Sequence, residues 1–245
     1  MADEIKVDTA VTLELHMQNV KAIDGFDEEA DKYLAPVVTI FDAAYQTIGD
    51  IHKARKQAER NPGWTDAQRI LQLAKLGEAQ QDKLTKKWDS VYQNLTKQIE
   101  ALESQFSAPM KAAAERPGIA NEIRQHMKSL SNEGRLSLLN DAQKRGDVET
   151  LQAVLGAPAY LSGMTEEMRA IRTRMYHEAK APDAAKRLRI SQKAAEMMET
   201  RSHYIGTEIT KAIGADWAKV KRLREAQDAA EQAFIVKDRT VALGV

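Results

Sequence analysis

Apolar positions recur every three or four residues along most of the chain beyond residue 26. This spacing places the apolar side chains on one face of a helix, which is the face that packs against a core. The first stripe lies between residues 27 and 60, the second between 66 and 115, and the third between 182 and 236. The pattern therefore predicts three long helices, whose stripes begin with Leu34, Leu84 and Leu188.

Turn and capping residues divide these helices. Asn61-Pro62-Gly63 ends the first helix, and Thr65 with Gln68 has the spacing of a capping box that begins the second. Pro109 is expected to kink or end the second helix, because proline removes a backbone donor. In residues 117–181 the caps are closely spaced and predict several short helices; they are Ser131, Gly146, Asp147, Gly156 and Thr165.

The N-terminal region has a different period. Apolar and polar residues alternate from Val11 to Met17, which is typical of a half-buried strand with Val11, Leu13, Leu15 and Met17 on one face. A lone strand needs a partner. The strand-like segments 234–236 and 240–243 are the available partners, within the chain or across a subunit boundary. The alternative is an arm that lies irregularly on the helices.

The elements together predict an all-α fold, an elongated antiparallel bundle of long helices with a small multi-helix subdomain at its tip. The predicted divisions are an N-terminal arm or strand over 1–26, a helical hairpin over 27–116 and the small subdomain over 117–181. A returning long helix follows over 182–236, and a tail or strand over 237–245 ends the chain.

Composition narrows the class of protein. The chain has no cysteine, which excludes disulfides, thiolate metal sites and a cysteine nucleophile. Its 36 basic residues balance 36 acidic residues, so no net field attracts nucleic acid or membrane. We expect no signal segment, because the first twenty residues lack an apolar core of secretory length, and no apolar run approaches the ~20 residues of a membrane span. We expect no membrane contact and a location in the bacterial cytoplasm or in a virion.

Motifs for catalysis are absent from the sequence. It contains no phosphate-binding loop, no dinucleotide fingerprint and no nucleophile elbow, so we expect no enzymatic activity and no cofactor. Two histidines follow a glutamate by four residues, Glu122/His126 and Glu199/His203, and this spacing places both side chains on one helix face. Surface ion pairing explains these pairs better than a metal site, because the full ligand set of a di-iron bundle is missing.

One stretch is dense in basic residues. Between residues 169 and 193, the side chains that we single out as candidate phosphate or partner contacts are Arg169, Arg172, Lys186, Arg187 and Arg189. Acidic residues such as Glu166 and Glu178 interrupt the patch. Nucleic-acid binding is therefore an alternative hypothesis rather than the leading one.

The middle of the chain carries a family resemblance. Glu122-Ile123-Arg124, the run SNEGRLSLL over 131–139 and the run AVLGAPAYLSG over 153–163 resemble a family of uncharacterised tailed-phage and prophage proteins, over about residues 117–185. The resemblance implies a phage-encoded protein without enzymatic activity. No catalytic or binding residue transfers with it, since the matching residues are mostly caps and turns.

Apolar stripes on long helices exceed what two or three partner helices can cover, and uncovered apolar surface favours self-association or docking. The sequence therefore predicts a phage structural or assembly protein. We expect it to act as a homo-oligomer, by docking on other phage or host proteins, or both.

Overall fold

A computed structural model describes residues 10–115 and 118–234 of the chain. Of these residues 84% are helical and none lies in a strand, so the all-α prediction is confirmed. The described α-helices are α1 Gln18–Lys21, α2 Glu28–Glu59, α3 Asp66–Ala114, α4 Ile119–Ser129, α5 Asn132–Arg145, α6 Val148–Leu155, α7 Glu166–Lys180, α8 Pro182–Arg201, α9 His203–Ile213 and α10 Trp217–Ala233. None of these is long and apolar enough to cross a bilayer.

The strand predicted over Val11–Met17 is wrong. Leu13–Leu15 forms a single 3₁₀ turn, capped by the Thr12 side chain, which accepts from the Glu14 N–H. The Thr12 N–H donates to the Glu208 carboxylate at 3.1 Å instead of to a neighbouring strand. This buried acceptor fixes the backbone locally, and Val11 and Leu15 are buried while Leu13 is exposed and Met17 half-buried. The C-terminal partner segment beyond Phe234 lies outside the described residues.

The single long helix predicted over 182–236 is also wrong. The chain forms α8, α9 and α10 in this region; Ser202 between α8 and α9 keeps α-helical dihedral angles, and the clear break lies at 214–216. Gly214 ends α9 in the left-handed conformation, with φ 78°, and the Asp216 side chain caps α10 by accepting from the Lys219 N–H at 2.6 Å. A glycine end followed by an acidic cap is the usual boundary between two helices. The apolar period continues across this boundary, which is why it suggested one helix.

The predicted helix caps are present in the structure. The Thr65 N–H donates to the Gln68 side chain at 2.9 Å, and the Gln68 N–H donates to the Thr65 hydroxyl at 3.3 Å, so the capping box is confirmed. Ser131, Asp147 and Thr165 each accept from a backbone N–H three residues later. Pro109 does not end α3, which continues to Ala114.

The chain divides into two compact units. Unit 1 comprises the described parts of 1–22, 31–92 and 196–245, and unit 2 comprises 23–30 and 93–195. In unit 1 the apolar face of α2 packs on α3, with the Phe41 and Trp88 rings 4.8 Å apart. The Trp88 indole N–H donates to the Met198 carbonyl at 3.3 Å, which satisfies the buried polar end of the ring.

Unit 2 has its own core. Side chains from the C-terminal end of α3 and from the short helices meet there, the buried ones being Met110, Met127, Leu139, Ala142, Leu151, Val154, Leu155, Ala159, Met164 and Tyr176. At Gly156 the backbone of the α6 end lies directly against the Met110 carbonyl of α3. This close approach brings the short helices against α3 and sets the position of the loop that follows α6.

Candidate functional site

The loop after α6 presents two large apolar side chains to solvent. It forms a 3₁₀ turn over Ala159–Ser162, in which Tyr160 is 68% exposed and Leu161 39% exposed. The neighbouring Ser162 is 0% exposed, so the turn is firmly seated on unit 2. We call Tyr160 and Leu161 the exposed pair. Tyrosine is enriched among the residues that contribute most to binding at protein interfaces, so the exposed pair is a candidate contact site.

Arg135 anchors the C-terminal end of the turn. Its Nη1 atom donates to the Gly163 carbonyl at 2.6 Å, and Gly163 ends the turn in the left-handed conformation, with φ 70°. Its Nε and Nη2 atoms donate to the Met127 and Lys128 carbonyls at 3.1 and 3.0 Å. One guanidinium therefore caps the C-terminus of α4 and fixes the turn to it.

Glu166 anchors the other end. It accepts from the Ala159 N–H at 3.3 Å and forms an ion pair with Arg169 at 2.8 Å. The hydrogen bond from Arg169, followed by the one from the Ala159 N–H, holds the pKa of the Glu166 carboxyl below its usual range. Arg169 also donates to the Leu155 carbonyl at the end of α6, at 3.4 Å. Both ends of the turn are thus tied to flanking helices.

An apolar groove lies between α5 and α7 in the same unit. It has a volume of about 300 Å³ and is lined by Leu136, Asn140, Met168, Ile171, Arg172 and Met175. Ile171 and Met175 are exposed large apolar side chains. Arg172 donates to the Asn140 side chain at 2.6 Å. Unit 2 therefore combines a protruding apolar pair with an apolar depression.

The candidate basic contacts are largely engaged within the chain. Arg169 pairs with Glu166, Arg172 with Asn140, and Lys186 with Asp27, which lowers the pKa of the Asp27 carboxyl. Arg187 and Arg189 are exposed on α8, and the Arg189 guanidinium lies over Gly25. Arg169, Arg172 and Lys186 thus have acceptors in unit 2, and Arg169 also donates to the last carbonyl of α6.

Sequence reasoning missed the two arginines that organise this unit. Besides Arg135, Arg124 donates to the Ala114 carbonyl at 2.9 Å and to the Ala153 carbonyl at 3.1 Å, which joins the end of α3 to α6. The last carbonyls of every helix need hydrogen-bond donors, so the sequence predicts only that some arginine or lysine side chains will cap helix ends. Nothing in the sequence pairs a particular arginine with a particular helix end.

The histidines were considered as metal ligands together with the acidic side chains near them. In the part of the chain that the structure describes, no group of three or more such residues could hold a metal ion. His177 stacks on Phe106 with ring centroids 4.3 Å apart, and burial lowers the pKa of its imidazole. The Glu122/His126 and Glu199/His203 pairs lie on α4 and across the α8–α9 boundary, respectively.

The chain was compared with known proteins in three ways. No protein-family model, no curated protein and no solved structure matches it significantly.

Proposed function

We propose that this chain is a non-enzymatic structural or assembly protein of a tailed phage, which acts by docking on virion or host proteins and by associating with itself. The proposal places it in the bacterial cytoplasm or in the particle. Its phage origin rests on the resemblance over residues 117–185. Its mode of action rests on the exposed pair, Tyr160 and Leu161.

The rigid seating of the exposed pair is the observation that carries the docking role. Binding costs conformational entropy when side chains and loops must be ordered, and a turn fixed beforehand avoids most of that cost. Tyrosine also supplies a large contact area with few rotatable bonds. Arg135 at one end and Glu166 at the other hold the turn in this conformation. A partner with an apolar pocket and a hydrogen-bond acceptor for the Tyr160 hydroxyl fits this turn.

The nucleic-acid alternative has less support. The side chains proposed to contact phosphates include Arg169, Arg172 and Lys186, which already have acceptors within unit 2. Phosphate binding would have to displace these contacts. No geometric feature of the described residues favours this alternative over docking on protein.

Mass spectrometry of purified particles and assembly intermediates tests the phage role. For a tailed phage whose genome encodes this chain, we expect the chain to co-sediment with the structural proteins at a constant ratio across a density gradient. A host protein of similar abundance is the control for trapping. If the chain is missing from particles and from every intermediate, the phage role is contradicted.

A further inference from the structure

Unit 2 leaves large apolar side chains exposed at two places of opposite shape. The first is the exposed pair, Tyr160 and Leu161, which protrudes on a fixed turn. The second is the groove between α5 and α7, which we call the α5/α7 groove and in which Ile171 and Met175 are 45% and 37% exposed. Among the large apolar side chains of unit 2 that the structure describes as exposed, only Ile119 lies outside these two places. The exposed apolar surface is therefore concentrated in one protrusion and one depression.

The apolar walls of the α5/α7 groove suit an aromatic side chain. Four of the six lining residues are apolar, and two of these four are Met168 and Met175, whose sulfur atoms make favourable contacts with aromatic rings. The volume of about 300 Å³ lies at the lower end of the range for ligand pockets, so the groove has room for one or two side chains. Tyr160 and Leu161 of the same copy do not line it. An occupant must therefore come from another molecule.

Two polar side chains of the groove can recognise a tyrosine. The Arg172 Nη1 atom of α7 donates to the Asn140 Oδ1 atom of α5 at 2.6 Å. An amide oxygen has two acceptor lone pairs, so Asn140 Oδ1 can also accept from a hydroxyl group. A guanidinium is attracted to the face of an aromatic ring, and Arg172 supplies that cation. The groove thus combines apolar walls with an acceptor for an O–H and a positive charge for an aromatic face.

The exposed pair has the chemistry that this groove accepts. Tyr160 presents an aromatic ring that carries a hydroxyl, and Leu161 adds an aliphatic side chain next to it. The turn that holds them is fixed at both ends, and a tyrosine side chain has few rotatable bonds, so insertion costs little conformational entropy. The chain therefore carries both halves of one complementary contact.

We propose that the exposed pair of one copy inserts into the α5/α7 groove of a second copy of this chain. The Tyr160 ring packs between the apolar walls, and its hydroxyl donates to Asn140 Oδ1. The two surfaces are neighbours in unit 2, because Arg135 holds the end of the turn at Gly163 and the next residue, Leu136, lines the groove. This inference rests on the proposed function, since it names a second copy as the partner of the exposed pair.

The size of the contact sets the affinity to expect. A tyrosine buries about 150–250 Å², whereas a stable interface of standard size buries about 1,200–2,000 Å². One insertion is therefore weak, and two insertions related by a two-fold axis strengthen each other. We expect sedimentation velocity of the full chain to show a reversible dimer with a dissociation constant on the order of 10 μM.

Two variants that each lack one half of the contact test the insertion. Tyr160→Ala removes the protrusion and keeps the groove, whereas Ile171→Lys blocks the groove and keeps the protrusion. Each variant alone should raise the dissociation constant at least about tenfold. A one-to-one mixture should regain a complex of two chains, because the intact protrusion of one variant meets the intact groove of the other. This complex should be weaker than the wild-type dimer, since it contains one insertion.

The matched control is Ile119→Lys, which changes an exposed isoleucine of unit 2 outside both surfaces. It should associate like the wild type. Ile171→Lys is compatible with α7, because position 171 is exposed and Glu167 lies four residues before it, the favourable order for an ion pair on a helix. Circular dichroism checks that each variant remains folded.

The mixed complex also isolates the hydroxyl contact, because only one tyrosine is inserted. Adding Tyr160→Phe to the Ile171→Lys copy should weaken the complex about two- to tenfold, the effect of losing one hydrogen bond. When the other copy carries Asn140→Ala as well as Tyr160→Ala, the same change should have no further effect. An equal loss in both backgrounds shows that the hydroxyl does not contact Asn140 and overturns this placement.

The remaining outcomes separate this inference from the proposed function. A monomeric wild-type chain, or a mixture that associates no better than either variant alone, overturns the insertion. If that chain is nevertheless found in particles, the phage role stands and the exposed pair docks on a different protein. A mixture that associates, from a chain that is absent from particles and intermediates, supports the insertion and contradicts the phage role.

Discussion

Gly156→Ala is expected to destabilise unit 2 by about 3 kcal/mol or more. A Cβ atom at this position would lie 2.1 Å from the Met110 carbonyl oxygen and 2.5 Å from its carbon, both of which are backbone atoms of α3. Backbone cannot rotate away as a side chain can, so α6 or α3 would have to shift. The backbone conformation of residue 156 does not oppose the substitution, because its φ of −79° and ψ of −12° are allowed for alanine. The predicted loss is therefore a packing effect alone.

Urea denaturation followed by far-UV circular dichroism measures this loss, and hydrogen exchange over residues 148–158 locates it. Gly206→Ala in α9 is the matched control, because the nearest atom to an added Cβ is the flexible Gln81 amide nitrogen at 3.4 Å. That control should be neutral or more stable by up to about 1 kcal/mol, since alanine favours helix. A Gly156→Ala variant as stable as the wild type would show that α6 and α3 do not pack as closely as described.

Arg135→Ala is expected to lower the free energy of unfolding by about 3 kcal/mol and to loosen the turn that carries Tyr160 and Leu161. The substitution removes charged donors from the carbonyls of Met127, Lys128 and Gly163, and hydrogen bonds from charged groups contribute more than neutral ones. Arg135→Lys keeps the positive charge but loses the planar set of guanidinium donors, so its loss of unfolding free energy should be intermediate.

Hydrogen exchange over residues 157–164, together with the denaturation midpoint, measures both effects of the Arg135 substitutions. Arg174→Ala on α7 is the control, because Arg174 is exposed and its truncation should change the free energy of unfolding by less than about 0.5 kcal/mol. Unchanged exchange in Arg135→Ala would mean that the turn is held by Glu166 and its own packing, and that Arg135 is not its anchor.

The helices were predictable where local chemistry decides them. Thr65 with Gln68, Ser131, Asp147 and Gly146 act through neighbours no more than five residues away, so their spacing in the sequence is sufficient. The strand at Val11–Met17 failed because its alternation could not reveal the Glu208 carboxylate, which lies 196 residues from Thr12 along the chain. The period of a sequence shows which positions are apolar. It does not show which distant acceptor forms a hydrogen bond with a given backbone N–H.

The candidate site was less predictable for the same reason. The basic patch could be counted in the sequence, but the acceptors of Arg172 and Lys186 lie 32 and 159 residues away. Tyr160 and Leu161 lie in the segment that resembles the phage proteins. In the sequence alone, however, two apolar residues could equally well belong to a buried core. Only the fold shows that Ala159 and Ser162 are buried beside them while their own side chains are exposed.

Site-specific photo-cross-linking tests the central claim, that the exposed pair is a protein-docking site. A benzophenone amino acid replaces Tyr160 in one variant and Lys97, an exposed residue of α3 in the same unit, in the other. In cells assembling the phage, we predict one discrete adduct with a particle or host protein from position 160, and none from position 97. The position-160 adduct should weaken when Arg135→Ala loosens the turn. Equal adducts from both positions, or none from position 160, would contradict the account.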